Sequence, residues 1–82
     1  MNGTVHFIER REGDASSWVA ALDSRITPRT KNEPDEIMQQ YMIDVLKRDR
    51  RECIAKRHPI KPFDPAWLDG ASRSFTREVE LA

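Results

Sequence analysis

The sequence predicts a small α+β domain in which one long helix, about residues 33–58, and one short helix, about residues 15–24, pack with strands from the two ends of the chain. Three observations support this fold class. Residues 4–10 are rich in β-branched and aromatic side chains, residues 33–46 repeat apolar side chains at helical spacing, and residues 74–82 alternate apolar and polar side chains. Because the two predicted strands lie at opposite ends of the chain, the simplest arrangement pairs them and packs the helices on that sheet.

Length and composition limit the chain to one thin core. The chain has 82 residues, of which 38% are hydrophobic and 34% are charged. A domain of this size buries only about 60% of the surface that its unfolded chain exposes. We therefore expect residues 1–82 to form a single domain whose small core leaves room for a homodimer or a partner to complete it.

Charge and cysteine content exclude several classes of protein. Fourteen basic residues balance fourteen acidic ones, so no overall positive field favours nucleic acid or a membrane surface. The single cysteine, Cys53, excludes a secreted scaffold stapled by disulfides. The N-terminal residues lack the apolar run of a signal peptide, and no stretch of about 20 apolar residues could span a bilayer. The expected location is the cytoplasm, without membrane contact.

The first two predicted elements are a strand and the short helix. Residues 4–10 read TVHFIER, a strand-forming composition that stops at the turn formers Gly13 and Asp14. Asp14 is suited to cap a helix over 15–24, because its carboxylate can accept hydrogen bonds from the free N–H groups of the first turn. Helical spacing in this helix relates Trp18, Val19 and Leu22. We expect Trp18 to anchor the core.

A polar loop is predicted between the two helices. Residues 25–32 contain Pro28 and show no sustained period. We expect a loop here, with a residue or two of extended chain at Ile26.

The long helix is predicted over 33–58, with Pro34 in its first turn, where the missing N–H is harmless. Pro59 ends it, because a proline disfavours helical geometry in the residue before it. One half of the helix surface is apolar as far as Leu46, and we expect this half to face the core: Ile37, Met38, Tyr41, Met42, Val45 and Leu46. The opposite half carries Gln39, Gln40, Ile43, Asp44 and Lys47.

The chain after the helix is predicted to form a loop, a turn and a strand. Residues 59–66 contain three prolines and read as an extended loop, which leads into a single turn capped by Asp64. Phe63 and Trp67 are the expected core contacts here. The alternation over 74–82 favours a strand, although Arg, Glu and Leu are also good helix formers.

The second half of the long helix is strongly basic. Residues 47–58, hereafter the basic segment, hold six bases against two acids, a net charge of +4, while residues 33–46 hold four acids and no base. Several arginines on one helix can make charge-assisted hydrogen bonds to phosphates or to an acidic protein surface. The predicted partner-binding residues are therefore Lys47, Arg48, Arg50, Arg51, Lys56, Arg57 and His58.

The same charge distribution also fits an ordinary solvated helix. Acids near the N-terminus and bases near the C-terminus complement the helix dipole, and Asp44 with Arg48 and Glu52 with Lys56 are spaced for ion pairs. A binding role is favoured by Lys47 and Arg51, a like-charge pair at i,i+4 that lowers helix stability unless an anion compensates it.

No catalytic, metal or cofactor site is predicted. Cys53 and His58 lie about 140° apart around a helix and would not face each other, and one cysteine with two distant histidines matches no zinc spacing. Cys53 is expected to be a small apolar filler. Glycine-rich phosphate loops are absent.

These observations predict a small non-catalytic regulator or inhibitor that binds a macromolecule, in the first place a protein, through its charged helix. By analogy of size, such proteins include antitoxins and antiactivators, and phage or mobile-element proteins that block a host machine. The alternative is a nucleic-acid-binding module that uses the basic segment, either as a monomer or as a homodimer. Against that alternative stand the neutral total charge and the lack of aromatic residues among the bases.

Overall fold

The computed structural model describes residues 1–81 and contains a four-stranded antiparallel sheet covered on one face by a single long helix. The α+β prediction is confirmed. The strands are β1 (Asn2–Glu12), β2 (Ala15–Leu22), β3 (Arg25–Ile26) and β4 (Arg73–Glu80), in the spatial order β3-β2-β1-β4. The helix is α1 (Glu36–Ala55), and a 3-10 turn (Pro65–Leu68) precedes β4.

The two ends of the chain pair as the sequence predicts. β1 and β4 run antiparallel, with Phe7 directly opposite Phe75, and the two rings stack with their centroids 4.8 Å apart. The tail is thus a strand and not the competing helix. Its alternation follows from the sheet, since Phe75 and Val79 contact the core while Thr76 and Glu78 lie exposed on the other face.

The predicted short helix over 15–24 is wrong, because residues 15–22 form β2. Gly13 and Asp14 make the two-residue turn of a hairpin that sets Glu12 opposite Ala15, and Gly13 has a φ of 63° that suits such a turn. Asp14 therefore caps no helix. The sequence of β2 lacks the alternation of apolar and polar residues that marks a half-buried strand, because both faces of β2 are covered. Ala20 and Ala21 are accordingly both fully buried. Trp18 lies in the core as predicted, 1% exposed.

The loop over 25–32 protects the outer edge of β2. Extended chain at Ile26 is confirmed, since β3 pairs Ile26 with Ala21. Further on, Trp18 and Thr30 exchange two backbone hydrogen bonds of 2.7 and 2.8 Å. The Thr27 hydroxyl accepts a bond of 2.9 Å from the Ala20 N–H, so little of this edge is left unpaired.

The long helix is shorter at both ends than the predicted 33–58. Asp35 caps it by accepting a 2.8 Å hydrogen bond from the Met38 N–H, which places Pro34 before the first turn and not in it. At the other end Arg57 adopts a φ of 58°, and the His58 N–H donates to the Cys53 carbonyl at 2.9 Å. This left-handed cap stops the helix before Pro59 is reached.

The face that α1 turns to the sheet differs from the predicted one. Ile37 and Tyr41, expected in the core, are 83% and 64% exposed, whereas Ile43, expected on the opposite side, is 2% exposed. Two polar residues also lie on the buried face of α1, and the ends of their side chains form hydrogen bonds. Gln39 accepts from Arg77 and Arg50 donates to Asp23, so the buried face looks half polar in the sequence.

The core lies between α1 and one face of the sheet. Its buried residues come from β1, β2 and α1, with β4 side chains against them: Val5, Phe7, Trp18, Ala20, Leu22, Met42, Ile43 and Leu46. Phe63 and Trp67 do not join this cluster and lie half-buried outside it. Phe63 stacks on His6 at 3.9 Å, on the opposite face of the sheet, and Trp67 meets Phe63 edge-on. The segment that holds Phe63 and Trp67 therefore covers part of the second face.

Candidate partner-binding surface

The basic segment is held in place by the face of α1 that packs on the sheet. Leu46 and Cys53, which are 0% and 4% exposed, anchor the second half of the helix against the core. Arg48 and Arg51 then lie on exposed positions of the last turns, and Lys56 and Arg57 lie in the exposed cap that follows. The bases are thus presented by a rigid element, which lowers the entropy lost when they bind.

Arg50 differs from the other predicted site residues because it belongs to the fold. Its Nε lies 3.3 Å from the Asp23 Oδ2, and only 14% of its side chain is exposed. This ion pair ties the helix to the turn between β2 and β3. Lys47 is also half-buried. The structure therefore separates Arg50, and in part Lys47, from the exposed bases.

Four exposed bases, hereafter the exposed basic cluster, form no ion pair within residues 1–81: Arg48, Arg51, Lys56 and Arg57. The helical ion pairs that could have neutralised them are not formed. Asp44 instead accepts a 2.9 Å hydrogen bond from Gln40, and Glu52 makes no ion pair with Lys56 in the described part of the chain. Among residues 1–81 the positive charge of the cluster is therefore not neutralised by ion pairs.

An exposed isoleucine lies among these bases. Ile54 is 51% exposed and follows Arg51 by three residues within α1. Positions three apart on a helix are neighbours on its surface. From the sequence alone, Ile54 is not identified as a surface residue. Its exposure becomes clear only once the adjacent Cys53 is seen to be buried, which turns Ile54 toward solvent.

Arg57 holds its place in the cluster at a backbone cost. Its φ of 58° lies in the left-handed region that glycine adopts without strain. An L-residue there loses about 1 kcal/mol. Glycine is the common residue at this cap position. For stability alone, glycine would therefore be preferred to arginine here.

Cys53 is confirmed as a buried side chain, and its thiol does not contact the His58 imidazole. Its thiol lies 3.7 Å from the His58 carbonyl oxygen and 3.8 Å from that of Pro59, so it contacts backbone and not the imidazole. His58 itself is exposed at the end of the helix. Its side chain therefore lies on the surface next to Arg57 in the chain.

Residues 1–81 show neither a metal-binding cluster nor a membrane-spanning helix. No group of three His, Cys, Asp or Glu side chains lies close enough together to hold a metal ion within that range. Among the described residues, no helix combines the length and the apolar character that a membrane crossing requires.

Comparison with known proteins gave no match to a family model, to a curated protein or to a solved structure.

Proposed function

We propose that this protein is a small non-catalytic regulator or inhibitor that binds an acidic surface of a partner protein through the exposed basic cluster. One observation carries the proposal: Arg48, Arg51, Lys56 and Arg57 are exposed and unpaired within residues 1–81, although acids lie four residues before two of them. Such a cluster repels itself and lowers the stability of the free helix. An acidic partner surface would remove that repulsion and gain charge-assisted hydrogen bonds.

The exposed Ile54 favours a protein over a nucleic acid as the partner. Protein interfaces place an apolar contact at the centre, with arginine prominent around it, and exclude water from that centre. Ile54 lies one turn after Arg51 on the surface of α1, near the helix end that leads to Lys56 and Arg57, and supplies such an apolar contact. Contacts to a phosphate backbone are polar and would gain little from an exposed isoleucine.

A capture experiment tests the proposal. The protein would be immobilised and used to recover binding proteins from native lysate, in parallel with an Arg48→Glu/Arg51→Glu double variant. We expect the wild type to recover a specific protein that the double variant loses. Arg11→Glu is the matched control, because Arg11 is an exposed arginine near the end of β1 and not part of the exposed basic cluster, and should leave the recovered protein unchanged.

A second measurement separates protein from nucleic acid. If the exposed basic cluster contacted phosphates, the affinity for random duplex DNA or RNA would fall with salt, with a log–log slope of about −3 to −4 for four contacts. Recovery that is abolished by nuclease, together with such a slope, would assign the partner as nucleic acid and reject the protein-binding proposal. Identical sets of recovered proteins for the wild type and the double variant would reject any role of the cluster.

A further inference from the structure

A cleft of about 380 Å³ opens on the face of the sheet opposite α1. Its floor is Ile8 of β1 and Val19 of β2, which are direct cross-strand partners. Trp67, from the segment that crosses this face, forms one wall and Ile26 another. The volume lies within the range of small-molecule sites, and apolar side chains dominate the lining, as they do in such sites.

The two ends of the cleft differ in polarity, and the strand register shows how. On β2 the side chains that face the cleft run from Ser17 to Val19, with Ala21 next in the same row. Ser17 is paired with Arg10 on β1, while Ala21 is paired with Ile26 on β3. One end is therefore polar and the other apolar. Four residues of strand separate the ends, a distance of about 13 Å.

Two arginines lie at the polar end. Arg10 donates to the carbonyl oxygens of Trp67 and Asp69 at 2.5 and 3.0 Å, and the Arg29 Nη1 donates to the Ser17 hydroxyl at 3.1 Å. Neither guanidinium forms an ion pair within residues 1–81. Each guanidinium carries five N–H donors, so both keep donors and an uncompensated positive charge.

We propose that this cleft binds an amphipathic carboxylate with an apolar body about as long as an eight-carbon chain. The carboxylate would accept hydrogen bonds from Arg29 and from the free N–H groups of Arg10, and the chain would lie over Ile8 and Val19 toward Ile26. Charge complementarity fixes the orientation, because the arginines lie at one end while the lining side chains toward the other end, Val19 and Ile26, are apolar. The site lies on the sheet face away from α1 and is independent of the partner-binding proposal.

Octanoate is the probe for the test, and the two tryptophans provide the readout. Trp67 lines the cleft, whereas Trp18 is buried in the core on the other face. In ¹H–¹⁵N spectra we expect octanoate to shift the Trp67 indole N–H saturably, with a Kd on the order of 1 mM for so small a ligand. The Trp18 indole signal should stay in place.

Two variants divide the binding into its polar and apolar parts. Arg29→Gln should weaken octanoate binding about tenfold by removing a charged donor and leave the binding of neutral octanol unchanged. Ile26→Ser should weaken both ligands, because it removes apolar contact from the far end. Arg11→Gln is the control, since Arg11 is next to Arg10 in sequence but on the other sheet face.

Three outcomes would overturn the proposal. The first is no saturable shift of Trp67. The second is octanol binding as tightly as octanoate, and the third is an Arg29→Gln variant that folds normally and binds octanoate like the wild type.

Discussion

Arg73 on β4 forms an ion pair with the buried carboxylate of Glu9 on the neighbouring strand β1. The two residues are direct cross-strand partners, and the Arg73 Nε and Nη2 lie 3.1 and 3.4 Å from the two carboxylate oxygens of Glu9. The Ser16 hydroxyl donates to the same carboxylate at 2.6 Å. The Arg73 guanidinium also lies 5.2 Å from the centre of the Trp18 ring. A charged group is thus held at the border of the core by neighbours from two strands.

This arrangement predicts acid sensitivity at Glu9. The Arg73 hydrogen bond first, and the Ser16 hydrogen bond second, lower the pKa of Glu9 below its ordinary value. A lowered folded pKa stabilises the protein above the unfolded pKa of about 4.3, and this contribution is lost as the pH falls through the folded pKa. We expect Glu9→Gln to reduce the free energy of unfolding at pH 7 and to reduce it less at each lower pH.

Urea unfolding of both proteins between about pH 7 and pH 3 measures this difference across the window in which the carboxylate titrates. Glu12→Gln is the control, because Glu12 is exposed at the end of β1 and should leave the wild-type pH dependence intact. Parallel curves for the wild type and Glu9→Gln would contradict the prediction.

The orientation of α1 shows where reading the sequence fails. The helical spacing of apolar residues predicts α1 to within three residues at each end. The alternation at both ends of the chain predicts the pairing of the terminal strands. The buried face does not, because Gln39 and Arg50 lie on it and are satisfied by Arg77 and Asp23. Those partners come from β4 and from the β2–β3 turn. A polar residue satisfied by a distant element cannot be recognised from its own segment.

A matched pair of isoleucine substitutions tests that orientation. Ile43 is 2% exposed and Ile37 is 83% exposed on the same helix. We expect Ile43→Ala to lower the free energy of unfolding by about 2–4 kcal/mol, through lost burial and a cavity. Ile37→Ala should change it by less than about 0.5 kcal/mol. Chemical unfolding of the two variants supplies the comparison, and a larger loss for Ile37→Ala than for Ile43→Ala would show that the helix packs on the face that its apolar pattern suggests.

The candidate surface could be predicted only in part, for a similar reason. The charge of the basic segment is plain in the sequence, but Arg50 and Arg51 are adjacent and identical there. The structure gives them different surroundings, since Arg50 pairs with Asp23 while Arg51 is exposed. The cleft between Val19 and Trp67 is not predictable from the sequence, because the spacing of residues 15–24 predicts a helix there. Only pairing with β1 and β3 brings Ser17 and Arg29 to one end of it.

Arg57 links the stability of the fold to the proposed binding surface. Its left-handed backbone, with a φ of 58°, should make Arg57→Gly more stable than Arg57→Ala by about 1 kcal/mol, because glycine adopts this conformation without a Cβ clash. At Arg51, inside the helix, the order should reverse, with glycine less stable than alanine by about 1 kcal/mol. Thermal and chemical unfolding of the four variants checks both signs. Because each variant removes an exposed base, all four should bind the captured partner more weakly, so that Arg57→Gly gains stability while losing affinity. A glycine variant at position 57 that is less stable than its alanine counterpart would rule out the strained cap.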